Sequence, residues 1–184
     1  MEQGTDNYRR FREEGDENAL AEIIREYRDG LIFYLNSLVG SFRTAEELAE
    51  DTFVLLGTKK PRDKGTGSFK TWLYTIGRNL AINYLRKTAR WGEVRAEETD
   101  AETEDTPEAM YLRQERQVMV HKAMGRLKSE YRQVLWLLYF EEFSCREAAA
   151  VMKRSVHSVE TLAYRARRAL KIQLEQEGYT DENL

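Results

Sequence analysis

The sequence has one cysteine, Cys145, and only two prolines among its 184 residues. A lone cysteine cannot form a disulfide framework, which fits a reducing compartment. The scarcity of proline leaves long stretches free of helix breakers. No apolar run approaches the ~20 residues that cross a bilayer, and the N-terminus lacks the apolar segment of a secretory signal. We therefore expect a soluble, cytoplasmic and largely helical protein.

The small net charge of −3 conceals blocks of opposite sign. Residues 1–58 have 13 acids and 6 bases, whereas residues 59–95 have ten bases and two acids. Residues 96–108 carry seven acids and no base, and residues 153–171 carry six bases and one acid. Two basic blocks separated by an acidic segment are typical of a protein with two contacts on nucleic acid. Two solvated helix faces would give the same pattern, so charge alone does not decide between them.

Apolar residues recur at helical spacing along most of the chain. Asp16 is a candidate N-cap of a first long helix, which Gly40 would end. Thr44 and Glu47 have the spacing of a capping box and predict the start of a second helix. Ser68 then precedes a third helix, after a basic loop rich in glycine.

The strongest local signal lies in residues 144–171. Ser144 and Glu147 form another capping box, which opens a short helix. After a tight turn, Ser155 can cap a final helix with a basic outer face. This order is typical of a helix-turn-helix, whose second helix enters the major groove of DNA. An ordinary helical hairpin with a basic face is the competing interpretation.

The second signal lies in residues 59–90, where lysines and arginines alternate with aromatic residues. Cations that follow the backbone and rings that stack on bases are what single-stranded DNA binding requires. The aromatic residues of this segment are Phe69, Trp72, Tyr74 and Tyr84. For Phe69 and Trp72, packing in a core also fits the spacing, and for Trp72 it is the better explanation when packing alone is considered.

Patterns of catalytic or metal-binding residues are weak. Residues 64–71 have some similarity to a phosphate-binding loop, but Phe69 occupies the position that requires glycine. His121 and His157 are far apart and have few candidate ligands near them in sequence. We therefore expect no catalytic residue, no metal, no cofactor and no small-molecule substrate.

Both signals match one family. The chain resembles bacterial RNA polymerase sigma factors of the extracytoplasmic-function (ECF) group. The resemblance lies in the segments AEELAEDTFVLL, SFKTWLYTIGRNLAINYLRK and EYRQVLWLLYFEEFSCREAAAVM, followed by SVHSVETLAYRARRAL. The resemblance implies an all-α fold of two small helical domains, a region 2 bundle over residues 8–90 and a region 4 helix-turn-helix over residues 110–176. A flexible acidic linker over residues 91–109 would join them. It also implies a non-enzymatic transcription initiation factor that brings core RNA polymerase to promoters and helps to melt the DNA.

The same resemblance implies roles for individual residues. The residues expected to bind the clamp helices of the polymerase β′ subunit are Glu47, Leu48, Glu50, Asp51 and Phe53. Those expected at the −10 element are Lys64, Ser68, Phe69, Trp72, Tyr74, Arg78, Asn79, Asn83 and Arg86. Those expected at the −35 element are Ser155, His157, Ser158, Glu160, Thr161, Tyr164, Arg165, Arg167 and Arg168. The implied partners are core RNA polymerase, through the clamp helices and the β flap, promoter DNA, and an anti-sigma factor.

Five positions depart from the family pattern, among them Lys128 in place of a common proline and Leu138 in place of a common arginine. Gly57 stands where the family usually has tryptophan. Glu160 and Leu162 replace a lysine and an arginine of the recognition helix. Fewer cations should weaken phosphate binding, and the carboxylate of Glu160 can accept a hydrogen bond from cytosine. The −35 sequence that the family recognises therefore cannot be assumed for this chain.

Two other functions remain open at this point. A stand-alone helix-turn-helix regulator would explain residues 144–171 and would be a dimer on palindromic sites. A nucleotide-dependent enzyme using residues 64–71 is a more distant alternative.

Overall fold

The computed structural model describes residues 3–63, 67–90 and 115–178. Within these ranges the secondary structure is helical, with no β-strand. The helices are α1 Gln3–Arg9, α2 Glu17–Val39, α3 Phe42–Lys59, α4 Phe69–Arg90, α5 Glu115–Gly125, α6 Ser129–Leu135, α7 Cys145–Met152 and α8 Val156–Gln176. The π-helical segments Arg10–Glu14 and Trp136–Phe140 continue α1 and α6. The all-α fold is confirmed, and the acidic linker falls outside the described residues.

Helix α2 begins and ends where the sequence predicts. The Asp16 carboxylate accepts hydrogen bonds from the backbone N–H groups of Asn18 and Ala19, at 3.0 and 3.3 Å. These bonds satisfy two of the N–H groups that a helix start leaves unpaired. At the other end, Gly40 has φ of 69°, a left-handed conformation that glycine adopts without a Cβ penalty.

The capping box predicted at Thr44 and Glu47 is wrong, because α3 and its N-cap begin three residues earlier. Ser41 has extended backbone, with φ of −140°, and its hydroxyl accepts a hydrogen bond from the N–H of Thr44 at 3.3 Å. Ser41 is therefore the N-cap, and Thr44 lies inside the first turn.

The two caps predicted in the C-terminal part are confirmed. The Ser144 hydroxyl accepts from the N–H of Glu147 at 3.2 Å, and the Glu147 carboxylate accepts from the N–H of Ser144 at 2.9 Å. The Ser155 hydroxyl accepts from the N–H of Ser158 at 3.1 Å and caps α8. The short helix, the turn and the long helix are thus placed as a helix-turn-helix.

Helices α1 to α4 form the first bundle, and α2 lies at its centre, against α1, α3 and α4. The large side chains of α2 that are 0–2% exposed are Ile23, Leu31, Ile32, Tyr34 and Leu35. Burying one such side chain contributes about 1.5–3 kcal/mol. We call α1 to α4 the N-terminal bundle.

Helices α5 to α8 form the C-terminal bundle. In α6 and its π-helical continuation, Val134, Leu135 and Leu137 are buried, with 0–2% exposure. They face α8, whose Val159 and Ala166 are fully buried. None of the described helices combines the length and the hydropathy needed to cross a membrane.

The two bundles pack against each other through α2 with α6 and α4 with α7. The ring of Phe33 stacks on that of Trp136, with centroids 5.1 Å apart. The Ser129 hydroxyl donates a hydrogen bond to the Ser37 carbonyl at 2.8 Å. Buried residues of both bundles consequently belong to one continuous hydrophobic core.

Candidate nucleic-acid and protein interfaces

The outer face of α3 is acidic and open to solvent. Glu47, Glu50 and Asp51 are exposed on it. Val54, which the sequence analysis did not select, is 59% exposed on the same helix. Its signal is an apolar residue three positions after Asp51, which places it on the helix surface beside the acids. Protein-binding faces commonly surround an apolar centre with polar residues, and Val54 among these acids fits that layout.

Two residues expected on that face lie in the core instead. Leu48 and Phe53 are each 6% exposed and belong to the buried core cluster of the bundle. The acids alternate with the apolar positions at helical spacing, so the two sets lie on different sides of α3. Leu48 and Phe53 therefore anchor α3 in the core on the side opposite the acids. They cannot contact a partner in this conformation.

The aromatic residues at the start of α4 are also packed inward. Phe69 is 0% exposed, and its ring lies 5.6 Å from those of both Tyr8 and Tyr27. Tyr74 is 0% exposed as well. Trp72 is half-buried, with its ring 5.1 Å from that of Tyr8. In this conformation Phe69 and Tyr74 do not offer a stacking surface for bases, contrary to expectation.

The remaining candidates on α4 differ in exposure. Asn83 and Arg86 are exposed, whereas Arg78 and Asn79 are half-buried. Burial raises the pKa of Tyr34, and the nearby Arg78 guanidinium opposes this rise. Lys64, also expected to contact DNA, lies outside the described residues. Asn79, Asn83 and Arg86 recur at spacings of four and three and form one polar stripe.

The loop that precedes α4 is fixed at its beginning by α1. The Tyr8 hydroxyl donates a hydrogen bond to the Pro61 carbonyl at 2.6 Å, and burial raises the pKa of Tyr8 to about 12. The Lys60 ammonium lies 4.7 Å from the centre of the Phe11 ring. Helix α1 thus positions basic residues beside the start of α4.

The start of α4 contacts the C-terminal bundle. The Lys70 ammonium lies 2.9 Å from the carboxylate of Glu141 and 2.8 Å from its carbonyl oxygen. The Tyr74 hydroxyl donates a hydrogen bond to the same carboxylate at 2.7 Å. Burial, with the charge of Glu141 next, raises the pKa of Tyr74 well above its ordinary value. Tyr74 therefore stays neutral and keeps its proton for this hydrogen bond.

Glu147 of α7 also contacts this end of α4. Burial raises its pKa, but hydrogen bonds from Ser144, Ser68 and Thr71 outweigh that effect and leave the pKa below its ordinary value. Ser68 is one of the residues expected at the −10 element. Its hydroxyl also accepts from the N–H of Thr71 at 3.1 Å, as a cap of α4 does.

The outer face of α8 is exposed and basic. The exposed residues expected to contact DNA are Ser155, His157, Glu160, Tyr164, Arg165, Arg167 and Arg168, while Ser158 and Thr161 are half-buried. Leu162 is 7% exposed and faces the core. Its difference from the family pattern therefore removes no charge from the outer face. Val156, in the first turn of α8, is 40% exposed.

The structure adds Tyr139 to this face. Its hydroxyl accepts a hydrogen bond from the Arg167 guanidinium at 2.7 Å, and Tyr139 is 51% exposed. Phe140 beside it is 47% exposed. The available sequence signal was an aromatic pair at the end of an apolar run, just before the helix-turn-helix. We conclude that Tyr139 holds one arginine of the exposed face of α8.

His121 packs in an aromatic cluster, with its ring 5.7 Å from that of Phe33 and 6.1 Å from that of Trp136. Burial lowers the pKa of His121, which favours the neutral ring. Among the described residues, no three His, Cys, Asp or Glu side chains are placed to hold a metal ion.

Comparisons with known proteins agree with the division into two bundles. The family model for Sigma-70 region 2 matches residues 23–91, and that for Sigma-70, region 4, matches residues 117–170. The RNA polymerase sigma factor YlaC of Bacillus subtilis is 29% identical over 157 residues, covering 84% of this chain and 91% of the relative. The ECF RNA polymerase sigma factor SigW of the same organism is 28% identical over 170 residues, covering 87% and 91%.

Solved structures show the same fold. The sigma factor RpoE of Bartonella quintana, in complex with the anti-sigma factor NepR, has a TM-score of 0.68 at 24% identity and covers 84% of this chain and 96% of that one. CnrH in complex with the cytosolic domain of CnrY has a TM-score of 0.62 at 22% identity, with coverage of 95% and 96%.

Proposed function

This chain belongs to the ECF group of the sigma-70 family, the transcription initiation factors that direct RNA polymerase to promoters, and we propose that three of its faces divide this work. The observation that carries the proposal is that both family regions occur in one chain while the acidic face of α3 stays exposed. We assign region 2 to residues 8–90, the linker to 91–109 and region 4 to 110–176.

The α3 face binds core polymerase at the clamp helices of the β′ subunit. Glu47, Glu50 and Asp51 supply negative charge, and Val54 supplies an apolar contact that binding would cover. Charges at such a rim steer the encounter and fix orientation, while the buried apolar contact contributes affinity.

The polar stripe of α4 contacts the −10 element. Amide and guanidinium groups at Asn79, Asn83 and Arg86 can hydrogen-bond to base edges and phosphates of a separated strand. Ser68, Trp72 and Lys64 complete this site in our assignment. The N-terminal half of α4 is covered by the C-terminal bundle in the present conformation.

The outer face of α8 contacts the −35 element in the major groove. Residues at the beginning of the helix, including Glu160 and Thr161, lie where a recognition helix approaches base edges. Arg165, Arg167 and Arg168 lie further along and can reach phosphates or guanine. Glu160 adds a carboxylate that can accept a hydrogen bond from cytosine N4.

The two DNA contacts act together only when one polymerase holds both bundles. Each contact then raises the effective concentration of the other, so the free chain is a weak binder of duplex DNA. The protein acts in the cytoplasm in this scheme and has no catalysis of its own. Core polymerase, through the β′ clamp helices and the β flap, and promoter DNA are its partners. Because RpoE was solved with the anti-sigma factor NepR and CnrH with the cytosolic domain of CnrY, we also propose an anti-sigma partner.

Charge reversal on α3 tests the polymerase assignment. We expect Glu50→Lys with Asp51→Lys to lower affinity for bacterial core polymerase at least tenfold in fluorescence anisotropy, with an unchanged circular dichroism spectrum. The control is Glu14→Lys with Glu26→Lys, which makes the same charge change at exposed positions elsewhere in the bundle. Equal affinity of both variants would show that the α3 face is not the polymerase contact.

A further inference from the structure

We propose that Glu141 is an intramolecular latch, which holds the C-terminal bundle over the start of α4 in the free protein and must be released before the −10 element binds. The inference rests on the proposed function for its consequence, but the latch itself is a property of the free chain. Its parts come from three separate segments of the sequence, which are α2, α4 and the loop before α7.

The Glu141 side chain is only 11% exposed and is held on several sides. Lys70 contacts it through a charge and Tyr74 through a hydroxyl hydrogen bond, at 2.9 and 2.7 Å. The ring of Phe143, in the same loop, meets that of Tyr74 edge to face, with centroids 5.2 Å apart. The Lys70 ammonium lies 5.1 Å from the Phe143 ring centre.

Gly30 of α2 provides the space that the Glu141 carboxylate occupies. A Cβ atom at this position would lie 2.6 Å from the Tyr74 hydroxyl oxygen and in closer conflict with the carboxylate of Glu141. Any side chain at residue 30 would therefore displace Glu141. The absence of a Cβ in the middle of a long helix, which costs helix stability, is explained by this contact.

Closure covers the N-terminal part of the proposed −10 site, while Asn83 and Arg86 of the polar stripe and the other two faces stay open. Helix α7 lies along α4, and the Ser68 and Thr71 hydroxyls contribute to lowering the pKa of Glu147. The acids of the α3 face and the arginines of α8 remain exposed in the same conformation. Polymerase can therefore bind first, while the −10 contact waits for the bundles to separate.

Distances on DNA require that separation. The −10 and −35 positions are about 25 base pairs apart, which is roughly 85 Å at about 3.4 Å per base pair. A compact chain of this length has a radius of gyration of roughly 16 Å and is roughly 40 Å across. The closed protein cannot reach both elements. The 24 residues between Arg90 and Glu115 can span up to ~80 Å when extended, so the chain permits opening.

Small-angle X-ray scattering on the full chain tests the latch. We expect Gly30→Ala and Glu141→Lys each to raise the radius of gyration by a fifth or more above that of the wild type. The matched controls are Gly57→Ala, where a Cβ meets only Leu20 at 3.5 Å, and Glu142→Lys, which alters the exposed neighbour of Glu141. Lysine suits the positive φ of residue 142, as Lys60 and Lys153 show. Both controls should remain as compact as the wild type.

A charge swap provides the rescue. Lys70→Glu combined with Glu141→Lys restores an opposite pair, and we expect the double variant to return toward the compact radius. Circular dichroism melting of every variant distinguishes opening of the bundles from unfolding of the chain. Because Glu141→Lys changes a loop residue, this variant still tests the latch if Gly30→Ala unfolds the protein.

Two results would overturn the latch: a wild-type radius already equal to that of the opened variants, or compact scattering from both Gly30→Ala and Glu141→Lys. Core-polymerase binding is measured in parallel on the same samples. Because the α3 face is open in both conformations, the opened variants should keep their polymerase affinity. A latch that behaves as expected in a chain that does not bind polymerase would instead refute the proposed function.

Discussion

The hydroxyl of Tyr139 accepts a hydrogen bond from the guanidinium of Arg167 at 2.7 Å, which ties the segment before the helix-turn-helix to its second helix. Both residues are exposed, so the bond orients an arginine on the surface that we assign to the −35 element. A long side chain that is already oriented loses less conformational freedom when it binds.

We expect Tyr139→Phe to weaken promoter binding of the polymerase complex by ~0.5–1.5 kcal/mol, the usual contribution of one hydrogen bond. The measurement is competition between promoters with an intact and a scrambled −35 element. Tyr131→Phe is the control, because it removes a hydroxyl from α6 and no partner of Arg167. Equal promoter affinity of the two variants would mean that Arg167 does not depend on Tyr139.

Arg165→Ala should weaken −35 recognition by ~1–3 kcal/mol if its side chain reaches a base edge. The loss should be confined to promoters with an intact −35 element, since a phosphate contact would weaken all sequences alike. Arg25→Ala removes the same charge from an exposed site on α2 and should leave the promoter profile unchanged. An unchanged profile for Arg165→Ala would remove this residue from the site.

Gly57→Ala should stabilise the protein by ~0.5–1 kcal/mol, because alanine favours the helix and restricts the unfolded chain. The new Cβ makes an ordinary contact with Leu20 at 3.5 Å. At Gly77 a Cβ would lie 3.0 Å from Leu31, so Gly77→Ala should gain less or destabilise. Urea unfolding measures both, and the reverse order would contradict the packing described for α3 and α4.

The capping box at the start of α7 should be sensitive to acid. Hydrogen bonds hold the pKa of Glu147 below its ordinary value despite burial, so the folded state favours the carboxylate. Its stabilising effect is complete above the pKa of the unfolded chain and is lost as pH falls through the lower folded pKa. We expect Glu147→Gln to be less stable than the wild type at pH 7, with the difference shrinking toward pH 3. A constant difference in urea unfolding would show that the charge of Glu147 does not contribute.

Local signals predicted the helix starts well. Asp16, Ser144 and Ser155 were identified as caps because capping depends on residues within one turn. The failure at Thr44 is also local, since Ser41 offers the same chemistry three residues earlier and follows directly on the turn at Gly40.

The buried side of each helix could not be predicted as reliably as the position where the helix begins. The spacing of Phe69 and Tyr74 fits both a core stripe and a base-stacking surface. The packing of α1, α2 and α7 against α4 decides which of these two roles the residues have. Leu162 is buried for the same reason, although its family position suggested the DNA face.

The latch could not be predicted from the sequence at all. Gly30, Tyr74 and Glu141 are far apart along the chain, and no periodic pattern relates them. Their proximity follows from the packing of the two bundles, which sequence periodicity within one helix does not encode.

The decisive experiment mixes the purified chain with bacterial core RNA polymerase, tests for co-elution and then transcribes a library of genomic fragments. Membership in this family and the exposed α3 face predict co-elution with the polymerase and transcription from a defined subset of fragments, whose start sites share −10 and −35 elements. A folded chain that fails to co-elute, and instead binds duplex DNA tightly as a dimer on palindromic sites, would contradict this function and support a stand-alone regulator.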